Sequence, residues 1–446
     1  MTPPSRRTVL GAAAALPAIS AVAGGASAAA GPALAPTPPM GWNSWNSFAV
    51  TITEAEARET AAIMARVLRP AGYDIFTIDH QWYDPRARGY QYNDDIVPVM
   101  DGFGRFQPDP VRFPSATDGT GFTRIARDVH AIGLRFGIHR MRGIPRAAVK
   151  ANLPVFGTPY RARDIADTSS TCSWNVDMYG VDMTKPGAQA YYDGVFAEYA
   201  RWGVDFVKVD DLSRPYDTHA PEIEGIARAI ARCGRPMLLS MSPGETPVVR
   251  GDHARRHAHI WRISDDFWDD WALLEAQFVR LENWNPYMGD GRWPDADMLP
   301  LGRLAMGARD TRFTPDEQRT LMTLWSIARS PLIMGGDLRH LDDATIALLT
   351  NPEVIAVNQA SRENRPHFVA DSTRIWSAKA VNGDTYLALF NIGKEARDVV
   401  LPLAMVGLRG AGVRDLWARR DDGATGGRFA RRIAPHGAGL YRLSPR

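Results

Sequence analysis

The sequence predicts an α/β fold, a (β/α)8 TIM barrel, followed by a small C-terminal antiparallel β-sandwich. Three observations carry this. Short apolar runs recur and close on acidic residues: Tyr73 to Ile78 on Asp79, Asp205 to Val209 on Asp210 and Asp211, Ile260 to Ser264 on Asp265 and Asp266, and Trp293-Pro294 on Asp295-Ala296-Asp297. Helical stretches separate these runs, as repeated βα units require. From about Ser361 the pattern changes to strands joined by turns such as Asn382-Gly383. A barrel keeps its chemistry at the carboxyl ends of the strands, where these acids fall. Carboxylates converging with Trp45, Trp82 and Trp261 suggest a sugar-cleaving pocket, because aromatic faces pack on the C–H face of a sugar ring.

Each element has a local reason. Met40-Gly41-Trp42-Asn43-Ser44-Trp45 reads as strand one and its exit, after the stiff lead-in Ala35-Pro36-Thr37-Pro38-Pro39. Thr53 with Glu56 three residues on is a capping box, opening a helix to about Leu68. Strand two runs from Tyr73 to Trp82, and the helix from Gly121 carries Ile125, Val129 and Ile132 on one face. Strand three is Leu134 to His139. The helix Pro186 to Trp202 shows Tyr191, Val195, Tyr199 and Trp202 at helical spacing, and strand four ends at Asp210. Pro221 to Cys233 is a helix, Pro236 to Ser242 is strand five, and strand six ends at Asp266. A helix through Leu273 and Phe278 follows, then strand seven near Asp297. Thr314-Pro315-Asp316-Glu317 combines an N-cap, a proline at N1 and a glutamate at N3, so it starts a helix; strand eight is Pro331 to Met334. Long loops after strands two, three and six are expected to shape the site.

The chain has 446 residues, 45% hydrophobic and 23% charged, with a net charge of +2. That fits a globular protein and gives no reason to expect nucleic acid or an anionic membrane as a partner. Ser5-Arg6-Arg7 precedes an Ala-rich apolar stretch to about Val22 and the small-residue site Ala26-Ser27-Ala28. Residues 1–30 therefore read as a twin-arginine-type export signal, which makes the expected location extracytoplasmic. The barrel is expected over residues 31–360 and the sandwich over 361–446. Cys172 and Cys233 are the only cysteines, read as two buried free thiols rather than a disulfide.

Glycoside cleavage needs two carboxylates, one to attack or activate water and one to protonate the leaving oxygen. Asp210 and Asp266 are best placed. Lys208 shares a strand face with Asp210, whose pKa its cation would lower, while Asp211 turns to the other side. His80 and His139 with Asp210 and Asp211 would be the barrel metal site if one existed. No His-x-His pair supports it, so no metal and no cofactor is expected. The cluster Arg140, Arg142 and Arg146 reads as loop salt bridging, and Gly335-Gly336 as a tight strand exit.

Met40-Gly41-Trp42-Asn43-Ser44-Trp45, Lys208-x-Asp210, Trp261-Arg262 with Asp266, Trp293-Pro294-Asp295-Ala296-Asp297-Met298, and the strand-eight region from Leu324-Trp325-Ser326-Ile327 through Gly335-Gly336-Asp337-Leu338 together resemble the melibiase (α-galactosidase) family, glycoside hydrolase family 27 in clan D. The resemblance implies Asp210 as nucleophile and Asp266 as acid/base of a retaining enzyme. It implies Trp45 as a pocket wall, Asp79 and Lys208 on sugar hydroxyls, Arg262 near the 2-position and Asp297 near the anomeric centre. Three positions depart from the family's usual pattern. His80 follows Asp79 where a second aspartate is usual, His139 stands for a tyrosine, and Ser242 stands where a glutamate is frequent. Relatives acting on N-acetylgalactosamine also carry serine there, but with a small alanine three residues on, where this chain has Glu245. His80, His139 and Ser242 are accordingly expected to contact the sugar and to shift specificity.

The leading expectation is a retaining exo-hydrolase of terminal α-galactosyl-type sugars. β-L-Arabinopyranosidase and α-N-acetylgalactosaminidase are the alternatives on the same scaffold. A non-catalytic carbohydrate-binding barrel and a metal-dependent barrel hydrolase are alternatives of other classes.

Overall fold

The computed structural model describes residues 34–93, 95–367 and 372–446. The expected export signal lies outside these residues. The barrel strands are β1 (Met40–Asn43), β2 (Ile75–Ile78), β3 (Arg135–Met141), β4 (Phe206–Asp210), β5 (Leu238–Met241), β6 (Ile260–Arg262), β7 (Trp293–Asp295) and β8 (Leu332–Met334). They run parallel in the order β7-β6-β5-β4-β3-β2-β1-β8. The seam between β7 and β8 closes beyond β7. Leu299 N–H donates to the Ile333 carbonyl (2.7 Å) and Gly335 N–H donates to the Leu299 carbonyl (3.0 Å). Nearly every strand residue is buried, which is why the strands read as apolar runs without alternation.

The barrel helices include α1 (Glu54–Val67), α2 (Thr123–Ala131), α3 (Ala188–Trp202), α4 (Tyr216–Arg232), α5 (Gly251–His257), α6 (Trp271–Trp284), α7 (Pro315–Ile327), α8 (Asp343–Leu349) and α9 (Pro352–Ala360). Both expected capping boxes form, Thr53 with Glu56 at α1 and Thr314 with Glu317 at α7. Several boundaries differ from expectation; β2 ends at Ile78 rather than Trp82, and β5 spans Leu238–Met241 rather than Pro236 to Ser242. Pro221 lies inside α4 rather than at its start. Its ring removes one intrahelical bond, and the buried face of Ile223, Ile226 and Ile230 keeps the helix continuous. Strand β6 stops at Arg262, where its pairing with Asp295 ends, so Asp265 and Asp266 sit in the following loop.

The C-terminal strands are β9 (Arg362–His367), β10 (Thr373–Lys379), β11 (Thr385–Asn391), β12 (Arg397–Pro402), β13 (Gly410–Asp415), β14 (Arg420–Gly426), β15 (Arg428–Ile433) and β16 (Ala438–Pro445). Six make an antiparallel sheet in the order β9-β10-β11-β16-β13-β14, and β12 pairs with β15 as a second layer. Alternation along β10 and β11 divides two cores. Ile375, Leu387 and Leu389 pack between the layers, whereas Trp376, Ala388 and Phe390 join the barrel core. Phe390 meets Phe278 of α6 edge-on at 5.0 Å. Every residue of β11 is therefore buried, and the sandwich is welded to the barrel through one face.

The loop after β3 holds a three-stranded sheet of Ile144–Pro145, Ala166–Thr171 and Met178–Val181. Cys172 lies buried beside it and Cys233 is half-buried, both as free thiols, so only Cys172 is as enclosed as expected. Arg142 anchors this loop beneath the site. It is buried and reaches Asp211 (2.7 Å) and Glu222 of α4 (2.5 Å). Arg142→Met is expected to lower the unfolding free energy by about 3–5 kcal/mol, because two buried carboxylates lose their cation. Chemical denaturation at neutral pH measures this. A loss below about 1 kcal/mol would mean that Asp211 and Glu222 find other partners.

Candidate active site

Side chains from the exits of β1, β2, β4 and β6 converge on one pocket of about 300 Å³, lined by Trp45, Asp79, His80, Tyr92, Trp174, Lys208, Asp210, Arg214, Pro243, Asp265 and Asp266. The strand exits aim these groups by sharp turns. Gln81 and Asp211 both adopt positive φ (55° and 64°), which turns the chain immediately after His80 and Asp210. Asp210 thereby faces the pocket while Asp211 faces Arg142. A left-handed backbone at such residues costs about 1–2 kcal/mol each, met here by the partners that hold them. Gln81, for instance, donates to Asp177 (3.2 Å).

The pocket floor is a charge cluster. Lys208 Nζ lies 3.1 Å from Asp79 Oδ2 and 3.8 Å from Asp210 Oδ1. Asp79 also accepts from Asn43 (2.7 Å) and from the His80 backbone N–H (2.9 Å). Burial would push Asp79 and Asp210 up, but Lys208 and His139 outweigh it and hold both below the usual carboxylate range. Burial would lower Lys208, but Asp210 and Asp79 outweigh it and keep it protonated. Asp210 Oδ1 has no hydrogen-bond partner among the described residues, while Oδ2 faces His139 Nε2 at 3.0 Å.

His139 stands behind the pocket, fully buried, rather than on its wall. Its Nδ1 meets His80 Nδ1 at 3.1 Å, and His80 Nε2 meets the Asn175 amide at 3.0 Å. Burial and the neighbouring His139 push His80 well below its ordinary value, so it is neutral. One assignment of protons satisfies both contacts of His80: Asn175 donates to its Nε2, and its Nδ1–H donates to His139 Nδ1, while His139 Nε2 lies 3.0 Å from Asp210 Oδ2 without a hydrogen bond of good geometry. Both nitrogens of His80 are thus occupied, and the ring presents no free polar atom to the pocket.

The aromatic wall differs from expectation. Trp82 and Trp261 are wholly buried. Trp82 packs on Phe122 (5.2 Å) and Trp202 (6.0 Å), and Trp261 packs on Trp284 of α6 (5.7 Å). In β6 the side chains alternate, so Trp261 faces the helix layer and Arg262 the barrel interior. The wall is built instead from Trp45, Tyr92 and Trp174, with Tyr92 stacked on Trp45 at 6.2 Å and edge-on to His80 at 5.0 Å. Tyr92 and Trp174 come from the long loops after β2 and β3. Loop length was the available signal; the register of an irregular loop gave none.

Arg262, Asp297 and Ser242 line a small cavity of about 30 Å³ that also contacts Lys208, rather than the pocket itself. Arg262 bridges Asp297 (2.9 Å) and Asp266 (3.3 Å), and its Nη1 is 3.4 Å from Ser242 Oγ. Asp297 accepts the Phe267 backbone N–H (2.7 Å), and burial pushes it up to about 7 against the pull of Arg262. Asp266 is exposed at the rim on this guanidinium. Its neighbour Asp265 is paired with Arg214 across the pocket mouth. Partners, rather than strand alternation, distinguish the two acids. His80, His139, Asp210 and Asp211 do not converge as metal ligands, because Asp211 faces away to Arg142.

Two carboxylates on one pocket, one buried and ionised and one solvent-accessible, under an aromatic wall, are the parts of a glycosidase site. The chain matches the family described as Alpha galactosidase A over residues 37–185 and 180–360, and the Alpha galactosidase C-terminal beta sandwich domain over 370–443. It belongs to the α-galactosidase (melibiase) family, and it is a glycosidase. The GH27 β-L-arabinopyranosidase of Geobacillus stearothermophilus is 47% identical with a TM-score of 0.91, over 92% of this chain and 97% of that one. A Bacillus halodurans C-125 structure, provisionally described as an α-N-acetylgalactosaminidase, is 45% identical with a TM-score of 0.84, over 92% and 97%. The α-galactosidase of Cyamopsis tetragonoloba is 28% identical over 93% of this chain and 87% of its own length.

The neutral His80 has a thermodynamic signature. Below the ordinary imidazole value of 6.5, the unfolded chain takes up a proton that native His80 refuses. Stability therefore falls as pH drops below 6.5, with a limiting slope of about 1.4 kcal/mol per pH unit for this group. His219 and His259, both lowered to about 4, act in the same sense. In His80→Asn the slope between pH 6.5 and 5 should be shallower by up to one proton's worth, measured by urea unfolding across that range. Equal slopes in both proteins would show that His80 titrates alike folded and unfolded.

Proposed function

We propose that the protein is a retaining exo-glycosidase that prefers terminal β-L-arabinopyranosides and cleaves α-D-galactopyranosides less efficiently. The carrying observation is His80, whose two ring nitrogens are taken by His139 and Asn175 within an aromatic box with Trp45, Tyr92 and Trp174. β-L-Arabinopyranose has the ring stereochemistry of α-D-galactose and lacks its hydroxymethyl group. In our reading the ring carbon that bears that group in galactose faces the His80 wall. A galactoside then buries a hydroxyl against a ring whose two nitrogens are already taken, at a cost of about 1–3 kcal/mol. The arabinoside leaves nothing unpaired. The similarity to the Geobacillus enzyme supports the same reading.

In the proposed reaction Asp210 Oδ1 attacks the anomeric carbon while Asp266 delivers its proton to the glycosidic oxygen. The aglycone leaves as an alcohol and the sugar remains as an ester of Asp210. Asp266, now ionised, takes a proton from water, which attacks the same carbon and releases the sugar with retained configuration. Lys208 and His139 keep the nucleophile ionised, and Asp266 at the solvent edge can recover its proton. Asp79 and Lys208 bind hydroxyls of the bound ring; Arg262, held by Asp297 and Ser242, orients Asp266. The pocket volume suits one sugar ring, which supports cleavage of terminal residues.

The test is kcat/KM on aryl β-L-arabinopyranoside, α-D-galactopyranoside and N-acetyl-α-D-galactosaminide for wild type and His80→Asp. The expected wild-type order is arabinoside first. His80→Asp should raise the galactoside-to-arabinoside ratio by about tenfold or more, by supplying an acceptor to the hydroxymethyl group. A wild type that prefers the galactoside, or a ratio that His80→Asp leaves unchanged, contradicts the assignment.

A further inference from the structure

We propose that Glu224, His253 and His257 form a metal site for a zinc-class divalent ion that pins α4 to α5. None of the three lines the catalytic pocket, and the proposal is independent of the sugar specificity. Their candidate ligand atoms lie within 4.8 Å of one another, with Glu224 on α4 and both histidines on α5. His253 and His257 are one turn apart and therefore share a face of their helix.

The geometry fits zinc coordination. His253 Nε2 is 3.3 Å from Glu224 Oε1. Tetrahedral zinc with bonds of about 2.0–2.1 Å places neighbouring ligand atoms about 3.3–3.4 Å apart. Behind His253, the largely buried Tyr216 places its hydroxyl 2.9 Å from Nδ1. When that hydroxyl accepts the Nδ1 proton, the Nε2 lone pair is left facing Glu224, the outer-shell arrangement that orients a ligating histidine. His257 has no hydrogen-bond partner among the described residues, and its ring lies 4.5 Å from that of His253.

Arg228 lies 3.4 Å from Glu224 Oε2 and leaves Oε1 to the ion. Two imidazoles and one carboxylate suit zinc and other late first-row ions, and disfavour magnesium. The sequence expectation of no metal rested on strand-end histidines; this set is instead His-x-x-x-His on one helix with an acid from its neighbour.

The test uses the full, untagged chain after dialysis against a chelator. Calorimetric titration should find one zinc per chain with a micromolar dissociation constant, a zinc-dependent rise in Tm, and no response to magnesium. Cobalt should give the visible d–d bands of a low-symmetry site. His257→Ala and Glu224→Gln should each weaken zinc binding at least tenfold and abolish the Tm shift. Tyr216→Phe, which removes no ligand, should weaken it about 10-fold to 100-fold. Absence of saturable zinc binding below about 1 mM, an equal response to magnesium, or unchanged affinity in both His257→Ala and Glu224→Gln would overturn the proposal.

Discussion

The arrangement depends first on the cation of Lys208, placed between two carboxylates that would otherwise not stay ionised in a buried floor. Asp79 and Asp210 come from different strands, β2 and β4, and only a charge shared between them lets both remain anionic at the base of one pocket. Truncating one member of such a buried set typically costs 3–5 kcal/mol, because the remaining charges lose compensation. The same constraint fixes the histidines. With Lys208 on one side of Asp210, His139 faces it from the other, and the chain of contacts through His80 to Asn175 follows.

This cluster requires a rigid frame. The parallel strands are short and buried, so their exits are held by ladder bonds and by helix packing on the outside. Where the chain must turn sharply after a functional residue, Gln81 and Asp211 take the strained backbone, and Asp177 and Arg142 hold them there. The C-terminal sheet contributes indirectly. Its barrel-facing side chains, Trp376 and Phe390 among them, enlarge the core behind α6, the helix that follows the loop bearing Asp266.

Much of this was legible in the sequence because an apolar run closing on an acid marks a barrel strand and its catalytic end together. Asp79, Lys208, Asp210 and Asp266 all line the pocket. The helix starts at Thr53 and Thr314 were equally readable, since a capping box is a local signal. The side toward which a residue near a strand end points was less accessible. Trp82 and Trp261 belong to the outer core, and His139, Ser242, Arg262 and Asp297 stand behind the residues that line the pocket. The end of β6 was set by its pairing with β7, a long-range fact, so alternation did not apply to Asp265 and Asp266. Tyr92, Trp174 and Arg214 come from loops whose path follows from tertiary packing, not periodicity.

In the proposed mechanism Asp210, held ionised beside Lys208, forms a covalent bond to the sugar. The most direct measurement is trapping with a 2-deoxy-2-fluoro-β-L-arabinopyranosyl fluoride, followed by mass spectrometry of the intact protein and of its peptides. The fluorine slows both steps, and the good leaving group restores the first, so the glycosyl-enzyme accumulates. One sugar per chain is expected, carried on the peptide that contains Asp210, with slow return of activity as it hydrolyses. A label on Asp266 or Asp265, or no label together with wild-type release of inverted sugar, would contradict it.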